Sequence, residues 1–143
     1  MGTHTWDILL RVLLSLVCGG LVGLEREFTD HPAGLRTHIL VAMGACLFTT
    51  MSLFAFPGAP GGDRVAAAVV TGIGFIGGGA ILKSRGGIVK GITTAASLCS
   101  VAAIGMALGA GYFSVGFIIT AVILVVLEIL NRLAGLTAPV RQE

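Results

Sequence analysis

The sequence predicts an all-α membrane protein with five transmembrane helices. Of its 143 residues, 55% are hydrophobic and only 11% are charged, far below the roughly 25% of charged residues in a typical soluble domain. The hydrophobic residues form five runs of similar length, each close to the ~20 residues that a helix needs to cross a bilayer. These runs are residues 8–24, 37–56, 65–82, 92–108 and 113–130.

The lengths of the runs also predict the domain organisation. Too few residues lie outside them for a soluble catalytic domain, so residues 1–143 are predicted to form one transmembrane domain. A cleaved signal peptide is the alternative for the first run. However, no Lys or Arg precedes that run, and Glu25, Arg26 and Glu27 follow it where a cleavage site would have small residues. We therefore expect the first run to be a retained helix.

The distribution of basic residues predicts the orientation. Most of them fall in the connections after the first and third runs and in the C-terminal tail, whereas Arg64 and Arg11 fall on the other side, Arg11 being close enough to a helix end to snorkel outward. By the positive-inside rule, the N-terminus lies outside and the C-terminus in the cytoplasm. The net charge of +2 is thereby explained without a nucleic-acid partner. The basic residues on the predicted cytoplasmic side are Arg26, Arg36, Lys83, Arg85, Lys90, Arg132 and Arg141.

Interfacial aromatic residues fit the same topology. Trp6 precedes the first run and Tyr112 precedes the fifth, so both are expected at the outer surface of the bilayer.

Three GxxxG pairs predict close helix packing. Small residues four apart lie on one helix face and allow two backbones to approach within a membrane. The partner is either another helix of the same bundle or a second copy of the chain in a homo-oligomer, and the sequence leaves both open. The pairs are Gly19 and Gly23, Gly74 and Gly78, and Gly105 and Gly109.

The third run contains glycines at 72, 74, 77, 78 and 79. Residues 72–77 spell GxGxxG, but a dinucleotide site needs this motif between a strand and a helix, with an acidic residue about 20 positions later. Ser97 stands near that offset, which excludes the nucleotide interpretation. The glycines could also interrupt the helix, as in many transporters, although flexible packing is the simpler interpretation.

Polar residues concentrate in the first cytoplasmic connection. Glu25 and Arg26 end the first run, and Arg36, Thr37 and His38 begin the second, so both groups lie at the mouth of the predicted bundle. A hydrated divalent cation binds through one or two carboxylates, so this connection could hold one. Pairing of the carboxylates with Arg26 and Arg36 is the alternative. The candidate metal ligands are Glu25, Glu27 and Asp30.

The second cytoplasmic connection leads into Thr93 and Thr94, either of which could cap the fourth helix. With Lys83, Arg85 and Lys90 nearby, the free N–H groups of that helix could attract an anion. Capping combined with the positive-inside bias explains the same residues more simply.

Other polar residues and the cysteines have structural explanations. Asp63, followed by Arg64, suits the N-cap of the third helix. Glu128 and Arg132 are four residues apart and predict an ion pair at the membrane interface rather than a proton relay. Cys18, Cys46 and Cys99 lie in three different runs without metal-ligand spacing, so we expect neither zinc nor a disulfide framework.

Several sequence blocks, in this order, resemble the signature of the MgtC/SapB family of bacterial inner-membrane proteins. The resemblance extends from about Val12 to Leu133, and the blocks are specific in combination. They are residues 23–27 (GLERE), 32–38 (PAGLRTH), 63–65 (DRV), 71–79 (TGIGFIGGG) and 91–97 (GITTAAS).

The resemblance implies a five-helix protein of the bacterial inner membrane that is linked to growth at low Mg²⁺. The best-known members act in virulence and are described as restraining the F-type ATP synthase; they are often named Mg²⁺ transporters, although direct transport is doubtful. The functional positions implied by the resemblance are Glu25, Arg26, Arg36, Thr37, His38, Asp63, Arg64, Gly74, Thr93 and Thr94.

Two departures from the family pattern bear on function. Virulence-type members continue into a C-terminal cytoplasmic domain, whereas only a short tail follows Arg132 here, so we expect a short form without that regulation. Many members also have tryptophan where this chain has Cys99.

Two hypotheses follow. The first is a regulator whose helices bind another membrane protein, with the F-type ATP synthase as the candidate partner. The alternative is a small ion or solute transporter or channel, formed as a homo-oligomer in the lipid bilayer, with Glu25, Arg36 and an interrupted third helix at its pathway. An enzyme is the least favoured class, because no nucleophile–base pair is visible in the sequence.

Overall fold

A computed structural model describes the backbone of residues 2–55, 62–83 and 89–137, and the side chains of residues 5–55, 64–81, 89–129, 131 and 132. Within these residues the chain forms five α-helices and one short antiparallel strand pair. The predicted all-helical class is therefore confirmed, with a hairpin added between the third and fourth helices. The elements are α1 (Gly2–Phe28), α2 (Leu35–Ala55), α3 (Gly62–Ala80), β1 (Leu82–Lys83), β2 (Val89–Lys90), α4 (Ile92–Gly109) and α5 (Phe113–Thr137).

The helices have the length and composition of membrane spans. Apolar segments of α1 (Thr5–Phe28), α2 (Leu35–Ala55) and α4 (Ile92–Gly109) are long enough to cross a bilayer, whereas those of α3 and α5 are slightly shorter among the described residues. Large apolar side chains such as Leu13 and Leu40 are exposed on the outer faces. A soluble protein would bury such a surface, so this chain is a helical membrane protein. The count of five spans stays a prediction.

Helix α4 packs against all four other helices. Helix α2 packs mainly on α1 and α4, α3 packs mainly on α4, and α5 packs on α4 and α1. A hydrogen bond from Arg11 to the end of α4 shows that α1 and α4 are antiparallel, and one from Asn131 to Glu25 shows that α5 is parallel to α1. The contact of His38 with Ser97 shows that α2 is parallel to α4. The buried core between them consists of Cys18, Val22, Ala42, Cys46, Val101, Ile104, Leu108 and Leu127.

Glycines bring α1 and α4 against the backbone of α2. A Cβ atom on Gly19 would lie 2.6 Å from the Ala42 Cβ, and one on Gly109 would lie 2.5 Å from the Cys46 carbonyl oxygen. A Cβ on Gly105 would overlap the Ala42 carbonyl oxygen. Because no side chain separates these backbones, the α1 and α4 GxxxG pairs pack within one bundle rather than between copies.

Helix α3 is continuous despite its five glycines, so the interrupted helix considered from the sequence is wrong. In lipid, the backbone N–H and C=O groups of a continuous helix bond to one another. An interrupted helix would need neighbouring groups or water to replace those bonds, so a continuous helix is favoured. The Gly74 and Gly78 pair also differs from the other two, because a Cβ at either position would meet nothing within 4 Å.

The start of α4 corrects a second expectation. The residue before the helix is Gly91, with φ of 91°, and no side chain caps the helix. A Cβ at Gly91 would overlap the Ala80 carbonyl oxygen, so the chain can enter α4 here only with glycine. Thr93 is exposed, and Thr94 is buried inside the first turn. The threonine cap is therefore wrong. The proposed cap Asp63 and the basic residues Lys83, Arg85 and Arg141 lie outside the described side chains.

The glycine contacts on α2 predict opposite effects of one substitution at two sites. Gly105→Ala inserts a methyl group against the α2 backbone and should destabilise the bundle by about 1–3 kcal/mol. Gly74→Ala faces open space and should be neutral or slightly stabilising, because alanine favours the helix. Unfolding of both variants in detergent micelles measures the difference; equal effects would show that α4 does not contact α2 closely.

Candidate functional site

Polar residues from four helices meet where α1 ends and α2 and α4 begin. We name this group the Arg26 cluster. Its members are Glu25, Arg26, His38, Thr94, Ser97 and Asn131.

An ion pair between neighbours in the sequence forms one half of the cluster. The Arg26 side chain is only 1% exposed, and its Nε and Nη2 atoms both donate to the Glu25 carboxylate, Nη2 to Oε1 at 2.6 Å. The Asn131 amide of α5 donates to the same Oε1 at 2.7 Å. The Glu25 carboxylate therefore holds the end of α5 against α1 and neutralises a buried guanidinium.

A histidine and a serine form the other half. His38 Nδ1 lies 2.9 Å from the Gly34 carbonyl oxygen, and its Nε2 lies 3.0 Å from Ser97 Oγ. A carbonyl only accepts, so the neutral ring donates from Nδ1 and its Nε2 accepts from the serine hydroxyl. The Thr94 carbonyl, 2.9 Å from Ser97 Oγ, is a second acceptor for the same proton. This contact joins α2 to α4 inside the bundle.

The three carboxylates considered as metal ligands lie in different surroundings. Glu25 binds Arg26 and Asn131, and Glu27 accepts the Leu35 backbone N–H at 2.9 Å. Asp30 is exposed in the turn after α1 with φ of 52°. Among the described residues, no three or more His, Cys, Asp or Glu side chains are grouped so that they could hold a metal ion. The geometry favours the alternative in which Glu25 pairs with Arg26.

The other positions implied by the resemblance are spread over the bundle. Arg36 and Thr37 line a groove between α2 and α3, outside the Arg26 cluster. Thr93 is exposed in the first turn of α4, and Arg64 and Gly74 are exposed on α3. Among the implied positions whose side chains the structure describes, only Glu25, Arg26, His38 and Thr94 come together.

A second polar group at the opposite end was missed in the sequence. Arg11 pairs with Asp7 at 2.8 Å and donates from Nη1 to the Gly109 carbonyl oxygen at 2.7 Å. Its guanidinium lies 5.1 Å from the Phe54 ring centroid and 5.8 Å from that of Phe113. A cation at the last carbonyl of α4 is favoured by the helix dipole. The sequence feature that could have indicated this group is the spacing of Asp7 and Arg11, which are four residues apart at the start of an apolar run.

The two polar groups have one property in common: each pairs an arginine with a carboxylate at one end of the bundle. The buried core between them is mainly apolar and includes the hydroxyl side chains of Ser15, Thr50 and Thr120. Such an arrangement, together with exposed apolar helix faces, defines a helical membrane protein whose ionisable residues stabilise the packing of the helix ends.

The chain belongs to the MgtC family, whose sequence pattern it matches over residues 12–136. It is 40% identical over 136 residues to YhiD of Escherichia coli K12, described as a "putative magnesium transporter", which covers 90% of this chain and 63% of YhiD. It is also similar to SapB of Bacillus subtilis, with 35% identity over 87% of this chain and 56% of SapB.

A third relative is MgtC of Salmonella typhimurium, with 42% identity over 81% of this chain and 49% of that protein. The chain thus spans between about half and two thirds of the length of these curated relatives. No solved structure matches it.

The paired charge at Arg26 predicts a large effect of a small substitution. Glu25→Gln keeps the shape of the side chain but leaves the buried guanidinium without a counter-charge, which should cost about 3–5 kcal/mol of stability. The control is Glu128→Gln, which removes the carboxylate of an exposed pair with Arg132 and should cost about 1 kcal/mol or less. Denaturant unfolding in micelles measures both, and equal losses would contradict the burial of Arg26.

Proposed function

We propose that this chain serves Mg²⁺ homeostasis in the bacterial inner membrane as a regulator that binds another membrane protein through its helices. Membership of the MgtC family and the description of YhiD support the connection to magnesium. The family resemblance makes the F-type ATP synthase the first candidate partner. The chain itself would carry out no catalytic step.

The main support for the proposal is that the outer face of α3 carries small residues that no described helix covers. At about 100° per residue, five exposed residues fall on the side of α3 that points away from α4 and from the groove with α2. The face contains a GxxxG pair with open space above it, in contrast to the pairs on α1 and α4, which are used inside the bundle. Close approach of a second helix needs such small residues. The face consists of Ala67, Val70, Thr71, Gly74 and Gly78.

The charge distribution supports the proposed orientation. Arg26, Arg36 and Arg132 lie at the end of the bundle that holds the Arg26 cluster, whereas Arg11 and Arg64 lie at the other end. The positive-inside rule favours the first end in the cytoplasm. Trp6 and Tyr112, both exposed, lie with Arg11 at the end proposed to face outward.

A homo-oligomeric transporter is the second candidate, and the description of YhiD favours it. The transporter hypothesis places Glu25 at its pathway. That carboxylate is already bound by Arg26 and Asn131, so a cation would have to displace a buried ion pair. The regulator hypothesis requires no such displacement.

The outer face of α3 gives the test. Gly74→Leu should block close approach of a partner helix while leaving the bundle intact, because no residue that the structure describes lies within 4 Å of a Cβ atom at that position. We expect the amount of partner that copurifies from native membranes at low Mg²⁺ to fall about tenfold, and growth at low Mg²⁺ to be lost. The control is Ala121→Leu, which alters a small residue that is also exposed, on α5, and should change neither.

Two results would contradict the regulator. One is unchanged copurification and growth with Gly74→Leu. The other is Mg²⁺ uptake by vesicles that contain only the purified chain, at a rate that Glu25→Gln abolishes; this result would favour the transporter.

A further inference from the structure

An apolar groove of about 680 Å³ runs between α2 and α3. These two neighbouring helices contact each other little, because α3 packs mainly on α4. Gly44 of α2 and Gly72 of α3 lie in the groove walls and widen them. The apolar side chains of the walls are Leu40, Val41, Ala45, Phe48, Val65, Ala68, Val69, Ile73 and Ile76.

The length of the groove corresponds to one leaflet of a bilayer. From Arg36 to Phe48, α2 rises about 18 Å at ~1.5 Å per residue. Half of the hydrocarbon core is about 15 Å thick. A lipid acyl chain lying along the groove would therefore extend from the level of the headgroups to the bilayer centre.

The polar residues of the groove lie together at one end. Arg36 and Thr37, in the first turn of α2, line the groove there, and the Arg36 side chain is exposed. Within the described part of the chain, ion pairs are found for Arg11, Arg26 and Arg132, whereas Arg36 has no carboxylate partner. A planar guanidinium with free donors matches a phosphate in shape and charge.

We propose that the groove between α2 and α3 is a binding site for an anionic phospholipid, with the phosphate on Arg36 and one acyl chain along the apolar walls. Basic pockets between membrane helices bind anionic headgroups in this way. A partner helix fits less well, because it would have to bring a carboxylate to the level of Arg36. The proposal depends on the membrane location of the chain and not on the regulator hypothesis, since the groove and the outer face of α3 are different sides of that helix.

The test is native mass spectrometry of the full chain in detergent with two lipids that have the same acyl chains, phosphatidylglycerol and phosphatidylcholine. The expected result is tighter binding of phosphatidylglycerol. Arg36→Gln should weaken that binding about tenfold and remove the preference for the anionic lipid. Gly72→Leu, which places a side chain in the groove from a position where a Cβ atom would have open space, should weaken the binding of both lipids.

The matched control is Arg132→Gln, which removes a cation at the same end of the bundle but outside the groove. It should leave the preference for phosphatidylglycerol unchanged. Unchanged helical circular dichroism and elution volume establish that each variant is folded. Equal binding of the two lipids to the unaltered chain would overturn the proposal, as would equal losses with Arg36→Gln and Arg132→Gln. A dimer that excludes both lipids and dissociates with Gly72→Leu would overturn it in favour of a second copy in the groove.

Discussion

The structure depends on the close approach of α1 and α4 to the backbone of α2. Lipid chains are as apolar as the helix surfaces, so the hydrophobic effect does not drive helices together inside a membrane, and van der Waals contact and hydrogen bonds must do so. Gly19 and Gly105 allow this contact from two sides of Ala42. Short polar side chains can then reach between helices, and the contact between His38 and Ser97 depends on that proximity.

At each end of the bundle, an arginine is paired with a carboxylate that is close to it in the sequence. A guanidinium is costly in a low-dielectric environment unless a counter-charge and hydrogen bonds accompany it. Arg26 has Glu25 beside it in the sequence, and Arg11 has Asp7 one turn earlier. Each pair also contacts a distant helix, α5 through Asn131 or α4 through the Gly109 carbonyl. Each of these ion pairs therefore also holds α1 against a second helix.

Much of the fold could be predicted from the sequence, because a helix that crosses a bilayer needs an apolar run of about 20 residues. Each apolar run lies almost wholly within its helix, and the predicted Glu128–Arg132 pair is present at 2.7 Å. Contacts between helices could not be predicted, since the register of α2 against α4 or of α5 against α1 leaves no periodic signal. For this reason Ser97 and Asn131 were missed, although both complete the Arg26 cluster. The threonine cap predicted for α4 was wrong for a related reason. Contact with the Ala80 carbonyl requires glycine at position 91, and this requirement overrides the capping preference of threonine.

The most direct test of this account asks whether the hydrogen bond at Ser97 depends on the glycine contact two turns away. Ser97→Ala should cost about 0.5–1 kcal/mol in the unaltered chain. In a Gly105→Ala background, where a methyl group separates α4 from α2, the same substitution should cost almost nothing, because the contact with His38 is already lost. An equal cost of Ser97→Ala in both backgrounds would contradict the dependence of the polar contacts on close backbone packing.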